Sequence, residues 1–504
     1  MGCYAPDKTG KATTLCIFLY FFKPIAFLSY IYAFCINQVI GLRKITALFY
    51  VLVSIVCLNI LFVGFVSAAV GDLDNDGIGD TADPETLVSS SVTLPAGEYS
   101  FQNLTVTNNA VLTLNSSTSL SGFKGVFINA RNLTVESGAV ISADGMGYPS
   151  ATGPGAGIDG IQRTEGTAYG SGGGYGGNGG TGYCYYGNRP GGSSYGSAYF
   201  PEDLGSGGGG FSGLKGGSGG GAIKILVSNT LTLDGRISAR GLNATSSAAG
   251  GSGGSIYIIT NNFEGTGLLS ADGGNAYPGG GGGGGRIAVY SQTSAFTWSA
   301  TAKAGTGYVY GTPSYPSSNG TVVFINTQTN SLFTGNSFRF QENDTPFNFN
   351  NVIFNNSEVT TQGNISITAN DIAITGSSVK IGGVSSIITT TNFNTLNSTI
   401  VLNDGSTIEI NQPTVVTDST ITLTNSSQHI TVPEVTLKNS TFTLAGEGTL
   451  ITSDITLIDH SILTTLPMKK IDLSVVHLNI DESSSISADG MGYPSATGPG
   501  AGID

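Results

Sequence analysis

The chain has 504 residues, 76 of them glycine, with only 11% charged and a formal net charge of −13. That length suffices for two or three domains. The scarcity of charge argues against a compact cytosolic enzyme and for a surface or extracellular chain, and the acidic balance argues against nucleic acid, whose phosphates call for a basic partner. Cations are the partners such a balance favours.

Residues 1–68 form an apolar leader. They hold five of the 20 basic residues (Lys8, Lys11, Lys23, Arg43, Lys44) and one of the 33 acidic ones (Asp7), so the remainder carries −17. Two apolar stretches, 14–40 and 45–68, predict hydrophobic helices. The second has the parts of an export signal: basic Arg43-Lys44, an apolar run from Ile45 to Phe65, and the small-residue site Val66-Ser67-Ala68. The run is also long enough to span a bilayer, so the reading is a cleaved signal or a membrane anchor. Either way the basic side stays inside and the acidic remainder is exported to the cell surface or beyond. Four cysteines (Cys3, Cys16, Cys35, Cys57) lie in this leader. Cys184 is left alone beyond it, which excludes a disulfide framework or a cysteine zinc site within one exported chain.

Residues 69–89 come next as an acidic loop. Asp72, Asp74 and Asp76 occupy positions 1, 3 and 5, Gly77 permits the sharp turn at 6, the carbonyl of Ile78 falls at 7, Asp80 at 9 and Asp83 at 12. Calcium takes six to eight oxygens at flexible distance, and this spacing sets them around one centre. The loop resembles thrombospondin type-3 and dockerin loops, which use Asp at position 12. The resemblance covers about 13 residues and implies a calcium site, here a structural one stiffening the junction with the next domain.

Residues 90–325 repeat loosely every 32 or so. Gly220-Gly-Ala-Ile-Lys-Ile, Gly253-Gly-Ser-Ile-Tyr-Ile and Gly284-Gly-Arg-Ile-Ala-Val read as equivalent strands, with Ser238-Ala-Arg-Gly241, Ser270-Ala-Asp-Gly273 and Ala302-Lys-Ala-Gly305 following them. Asn103-Leu-Thr-Val and Asn132-Leu-Thr-Val are earlier strands of the same kind. Between them lie glycine-rich runs at 170–182, 205–221 and 279–285. They lack the phosphate-cradling Gly-Lys-Ser/Thr ending and open no helix. They read either as flexible surface loops or as packed loops presenting Tyr169, Tyr175, Tyr183, Tyr185, Tyr186 and Tyr195 to a glycan or another cell. In composition they resemble the glycine-rich tips of some phage tail adhesins.

Residues 326–482 keep a stricter register of 21. Gly376, Asn397, Asp418, Asn439 and His460 each open a Ser-x-apolar unit. One column then holds Val379, Ile400, Ile421, Phe442 and Leu463, and a second holds Ile381, Leu402, Leu423 and Leu444. A third is expected to hold Ile374, Val416, Leu437 and Ile458, and a fourth Ile387, Ile408, Leu450 and Ile471, with His429 off pattern. Three alternating apolar stripes per 21 residues mean three short strands per turn. The fold expected is all-β, a right-handed parallel β-helix with glycine-rich loops, of the kind found in secreted microbial adhesins. Finally, the 19 residues from Ile141 to Asp159 recur identically as Ile486 to Asp504, so 483–504 reads as the start of a further repeat.

Many β-helices degrade polysaccharides, which requires a carboxylate pair or a calcium-acid cluster. Here the acids are scattered, and Asp144, Asp272 and Asp489 read as Asp-Gly turn chemistry. The Asn-Thr-Asp, Asp-Asp, Gly-His-Gly and Arg-Ile-Lys set of polygalacturonases is absent, and His429, His460 and His477 read as structural. Sequons such as Asn243, Asn397 and Asn439 are candidate glycan acceptors in an exported chain. The expectation is a calcium-bearing surface repeat protein with no catalytic residues, contacting glycans or a cell surface; the alternative is a carbohydrate-active β-helix enzyme.

Overall fold

The fold comes from a computed structural model that describes residues 83–500 apart from 164–165, 184–188, 245, 298, 308–315, 345–346, 426, 445–448, 472 and 496. The leader with its expected hydrophobic helices, and Asp72, Asp74, Asp76, Ile78 and Asp80 of the acidic loop, lie outside the described residues. Among the described residues the chain is all-β, relieved by one short turn of 3-10 helix at Glu342–Asp344, and no helix is long and apolar enough to cross a membrane.

The chain shuttles between sheets, laying each strand parallel to its equivalent one turn earlier. In the first stack it alternates between a long sheet and a six-stranded one. The long sheet takes Thr86–Val88, Gly97–Val106, Val126–Val135, Ala222–Leu233, Ser255–Glu264, Arg286–Ser294 and Thr321–Asn326. The six-stranded sheet takes Val92–Leu94, Val111–Leu114, Val140–Ser142, Arg236–Ser238, Leu268–Ser270 and Ala300–Thr301. Ile223, Ile256, Ile287 and Val322 stack in one column, and Ile225, Ile258, Val289 and Phe324 in the next. All are buried. Long parallel-strand sheets of this kind are consistent with a β-solenoid.

At Thr321–Asn326 the stack changes face. The strand turns back through Ser331–Thr334 as an antiparallel pair, with Phe324 opposite Phe333 and Ile325 opposite Leu332. Alternate residues of a strand point to opposite faces. Val322 and Phe324 belong to the core of the first stack, whereas Val323, Ile325 and Leu332 belong to that of the second. The long sheet therefore runs on through 18 strands, while its cover passes from the six-stranded sheet on one face to an eight-stranded sheet on the other. Strand direction and covered face invert together, so the two inversions cancel and the winding sense is the same on both sides.

In the second stack the eight-stranded sheet carries Val379, Ile400, Ile421, Phe442 and Leu463 in one register, with Ile381, Leu402, Leu423, Leu444 and Thr465 in the other. The other two columns need correction. Ile388, Ile408, Ile430 and Leu450 pair in line, with spacings of 20, 22 and 20 residues. Ile387 stands outside at 41% exposure, and His429 sits beside the column on its outward side. Similarly Leu437 pairs with Leu457, which leaves Ile458 opposite Lys438. The corner loops absorb one residue more or fewer, and a one-residue slip exchanges the two faces.

The fixed 21-residue element is a corner. Gly376, Asn397, Asp418, Asn439 and His460 all have positive φ, between 46° and 65°, where Gly, Asn and Asp are tolerated. The serine after each corner is buried and turned along the stack. The amide of Ser377 donates to Ser398 Oγ at 3.2 Å, Ser398 to Ser419 at 3.0 Å, Ser419 to Ser440 at 3.1 Å and Ser440 to Ser461 at 3.2 Å. Each hydroxyl in turn donates to a carbonyl of its own corner, as Ser419 does to Thr417 O at 2.6 Å. The ladder satisfies backbone donors that the bend takes out of the sheet.

The corrected register has a direct check. Ile388→Ala is expected to cost about 2–5 kcal/mol in chemical denaturation, the range for emptying a buried isoleucine site, and Ile387→Ala about 0.5 kcal/mol. Equal losses would restore the uncorrected column.

Candidate functional site: the glycine bundle and its groove

The glycine-rich runs leave the six-stranded sheet after each coil and return before the next long strand. They are not flexible surface loops: 170–177, 205–210, 249–254 and 279–285 are buried throughout. They form no ladder. Along 249–254 consecutive amides point to three different neighbours and repeat every third residue. Ala249 and Ser252 donate to the carbonyls of Gly209 and Ser206, at 2.8 and 3.0 Å. Gly250 and Gly253 donate to Gly280 and Gly283, both at 3.0 Å. Gly251 and Gly254 donate to Leu242 and Ala239, at 3.1 and 2.7 Å. Three residues per turn without internal hydrogen bonds is the polyproline II helix. The same segment accepts from Gly173, from Gly217 and Gly220, and from Gly274, so six other segments surround it.

Most positions of this lattice admit only glycine, although Ala249 and Ser252, three residues apart, carry a side chain on one face. A Cβ on Gly250, Gly253, Gly282 or Gly285 would lie 2.0, 1.9, 2.0 or 2.2 Å from a neighbouring carbonyl oxygen. The reason matches the one that places glycine at the axis of collagen.

Among the described tyrosines expected at the surface, Tyr175 turns inward and Tyr169, Tyr183 and Tyr195 are half-buried. Tyr175 is fully buried, with its hydroxyl 2.6 Å from Ser255 Oγ and its ring 4.9 Å from that of Tyr195. Tyr195 is half-buried and donates to Leu204 O. Tyr169 is half-buried and stacks on Phe211 at 6.0 Å. Tyr183 is half-buried, and Tyr185 and Tyr186 lie outside the described residues. Burial pushes the Tyr175 and Tyr195 hydroxyls well above their ordinary range, so both stay neutral donors.

Arg286 locks the bundle to the long sheet. It is fully buried where the equivalent coils hold Ala222, Ser255 and Thr321. Its guanidinium donates to Tyr195 O from Nε at 3.1 Å and Nη2 at 2.8 Å, and to Thr321 Oγ1 at 3.3 Å, with the Tyr175 ring 5.4 Å away. Burial draws its proton affinity down, and burial also pushes the nearby Asp203 carboxyl up. Sequence reasoning missed this residue, although an arginine in a column of small residues is a signal for it.

Where the glycine helices leave the six-stranded sheet, a groove of about 390 Å³ opens, lined by Asp144, Arg240, Asn243, Asp272, Asn275 and Lys303 among others. Asp144, Arg240, Asp272 and Lys303 occupy equivalent positions in successive coils, so charge alternates along the stack. Asp144 accepts from Ser238 Oγ, from Arg240 N at 2.7 Å, and from Arg240 Nε and Nη2 at 3.0 and 2.9 Å. Asp272 accepts from Ser270 Oγ at 2.9 Å, Thr301 Oγ1 at 3.1 Å and Lys303 N at 2.7 Å. Asn243 Oδ1 accepts from Asn275 N, and Asn275 Oδ1 from Thr306 N, both at 2.7 Å. These aspartates thus do more than shape an Asp-Gly turn: each ties its coil to the next. The acceptors are committed, whereas no hydrogen bond from Arg240 Nη1, Asn243 Nδ2, Asn275 Nδ2 or Lys303 Nζ occurs among the described residues. The groove offers donors.

Of the six expected calcium ligands only Asp83 is described. It is buried at 3% exposure, its Oδ1 accepts from Glu85 N at 3.0 Å, and its Oδ2 has no hydrogen-bond partner. Among the described residues no acids, histidines or cysteines gather into a metal cluster. His429 Nδ1 meets Thr449 Oγ1, His477 Nδ1 meets Asp454 Oδ1 at 2.5 Å, and His460 forms a corner, so the three histidines are dispersed along the second stack. No family model, curated protein or solved structure matches the chain.

Gly253→Ala is expected to cost about 3 kcal/mol and to loosen the bundle, because overpacking against backbone has no side chain to yield. Gly382→Ala, with nothing closer than 3.8 Å, serves as the control. Hydrogen exchange across 249–285 reads the difference.

Proposed function

We propose that the chain is an exported cell-surface repeat protein of the adhesin or surface-structural type, wound as a right-handed β-solenoid, which contacts glycans through the groove on its glycine bundle. The observation that carries this reading is the set of unengaged donors from Arg240, Asn243, Asn275 and Lys303, on a scaffold whose acceptors are already committed. Saccharides are rich in hydroxyl and carboxylate acceptors, and Lys303 favours an acidic sugar. Right-handed winding is the sense that strand twist favours in parallel crossovers. Glycan-array and cell-binding measurements on residues 69–504 test the reading. Binding of uronate-containing glycans should fall at least about tenfold in the Asn275→Ala, Lys303→Ala double variant, as expected for losing two hydrogen bonds, one of them charge-assisted. Unchanged binding would remove the groove from the function.

We further propose a structural calcium ion held by Asp72, Asp74, Asp76, the Ile78 carbonyl, Asp80 and Asp83. The buried Asp83 Oδ2 without a donor supports it, because an isolated carboxylate oxygen is costly to bury and a cation is the partner its loop chemistry suits. By this reading the loop stiffens the entry to the first stack rather than performing chemistry. Calorimetry should show calcium binding that Asp76→Ala abolishes; a variant that binds like the parent sinks the site.

The second reading is a carbohydrate-active enzyme, favoured by the meeting of Asp144 and Asp272 in one groove. Two coil spacings set them roughly 10 Å apart, outside the retaining separation and at the upper end of the inverting one. Both carboxylates are tied to neighbouring coils, so neither presents a free oxygen to a substrate. Release of reducing ends from an acidic polysaccharide, lost in Asp144→Asn and Asp272→Asn, would favour this reading over adhesion.

A further inference from the structure

The groove on the glycine bundle carries two rows of side chains whose chemistry repeats at different intervals. The backbone fixes the first row. The amides of Gly145, Gly241 and Gly273 donate to the carbonyls of Arg240, Asp272 and Lys303 at 2.8, 2.9 and 2.8 Å. Asp144, Arg240, Asp272 and Lys303 therefore follow one another at the coil spacing of about 4.8 Å. The sign of the charge reverses at each step, so like charges recur only at every second coil, roughly 10 Å apart. The second row is neutral. Asn243 and Asn275 each spend their Oδ1 on an amide of the following coil, which leaves one Nδ2 per coil facing outward from the ladder. One row repeats with every coil and the other with every two.

The charges of the first row are not equally balanced. Asp144 is paired with Arg240 at 2.9 Å, and the arginine side chain stays 43% exposed with Nη1 uncommitted. Asp272 accepts from the backbone amide of Lys303 at 2.7 Å, but among the described residues neither side chain makes an ion pair. An unpaired carboxylate thus stands between two cationic side chains. In the same coil as Arg240, Leu242 lines the groove at 46% exposure and offers it an apolar surface.

We infer that the groove takes an extended polysaccharide lying along the stack with a carboxylate on every second sugar, the carboxylates set against Arg240 and Lys303 and an uncharged sugar set against Asp272. The inference rests on the glycan reading of the groove and narrows it. An extended chain of pyranose rings advances by close to one coil spacing per ring, so one ring falls to each coil. A carboxylate on every ring would bring one beside Asp272, where like charges oppose each other. A chain with none would leave Lys303 Nζ without an ionic partner. The asparagine amides donate to hydroxyl or acetamido oxygens on any ring, whatever its charge. Leu242 suits the apolar face of a ring. The class of ligand is therefore set by the two-coil period of charge: a polymer alternating uronate with a neutral hexosamine matches it, and an all-uronate polymer does not.

The test titrates the full chain, in mild detergent, with three series of oligosaccharides of equal length: alternating uronate and N-acetylhexosamine, all-uronate, and neutral. The alternating series should bind at least about tenfold more tightly than either other series. Asp272→Asn should strengthen all-uronate binding to within about threefold of the alternating series, because the opposing charge is gone. The asparagine keeps Oδ1 for Lys303 N, and the hydroxyls of Ser270 and Thr301 can turn to accept from its amide. Lys303→Gln should remove most of the preference for the alternating series over the neutral one, and with it the weakening of that binding by salt. The order of the three series in the unaltered chain is decisive even where a variant fails to fold. All-uronate oligosaccharides that bind as tightly as the alternating ones overturn the inference and leave the groove a glycan site. So does a preference that survives Asp272→Asn. Failure of all three series to bind overturns the inference together with the glycan reading.

Discussion

Every coil of this protein depends on its neighbour for the partners of its backbone amides. Apart from tight turns such as Ala110 N onto Thr107 O and a few short hairpins, a strand turn of this width makes no hydrogen bonds of its own, so most of its N–H groups are satisfied one coil away. The chain does this in three ways. Straight runs use the parallel ladder. Corners, where the ladder breaks, use the buried serine column from Ser357 through Ser461. The wide first stack, whose glycine-rich side carries only the short hairpin of Ile161–Arg163 and Gly166–Ala168, uses the glycine lattice around 249–254. All three devices act along the stack axis, and they differ in how much side chain each tolerates. The ladder admits any residue, the corner asks for a small hydroxyl, and the lattice admits little but glycine.

A continuous sheet that serves two cores follows from the same constraint. Ending one stack and beginning another would leave two unpaired edges, each a site for unwanted pairing. By turning back at 327–330 and covering the opposite face, the chain keeps the hydrogen-bonded sheet unbroken while replacing what packs on it. The strands beside the junction are therefore apolar on both faces: Val322 and Phe324 face one way, Val323 and Ile325 the other. Tyr199, Tyr257 and Phe338 extend the second core over the outer face of the first stack, with the Tyr199 ring 5.6 Å from that of Phe338. The two stacks share a wall.

The sequence shows what repeats locally and hides what is met across distance. Val379, Ile400, Ile421, Phe442 and Leu463 are legible because the eight-stranded sheet follows the corner at constant spacing. Ile388 is not, because the loops between corner and strand vary in length, and a fixed period of 21 selects its exposed neighbour Ile387. The serine after each corner is visible as a repeat, but its role as a donor-acceptor column is not. The glycine runs are visible as composition alone. Nothing in 170–182 names 249–254 or 279–285 as its neighbours, so Tyr175 reads as displayed when it is enclosed. Arg286 is legible in principle, since a charge in a column of Ala222, Ser255 and Thr321 calls for a buried partner.

Glycine carries a large loss of backbone freedom on ordering, roughly 0.5–1 kcal/mol more per residue than alanine. A bundle of polyglycine helices is thus a poor candidate to form first or alone. Its segments here are each clamped at both ends: 239–254 by Arg236–Ser238 and Ser255–Glu264, 271–285 by Leu268–Ser270 and Arg286–Ser294. The strands bring the segment ends into register, which removes much of the closure entropy before the lattice closes. Arg286 then joins the longest excursion to the sheet through Tyr195 and Tyr175. Once formed, a lattice in which a Cβ collides with backbone has little room for alternative packings. That rigidity fixes the edges of the groove, because Arg240, Asn243, Asn275 and Lys303 all stand on the first turns of these helices. The position of the donors is set by the glycines beneath them.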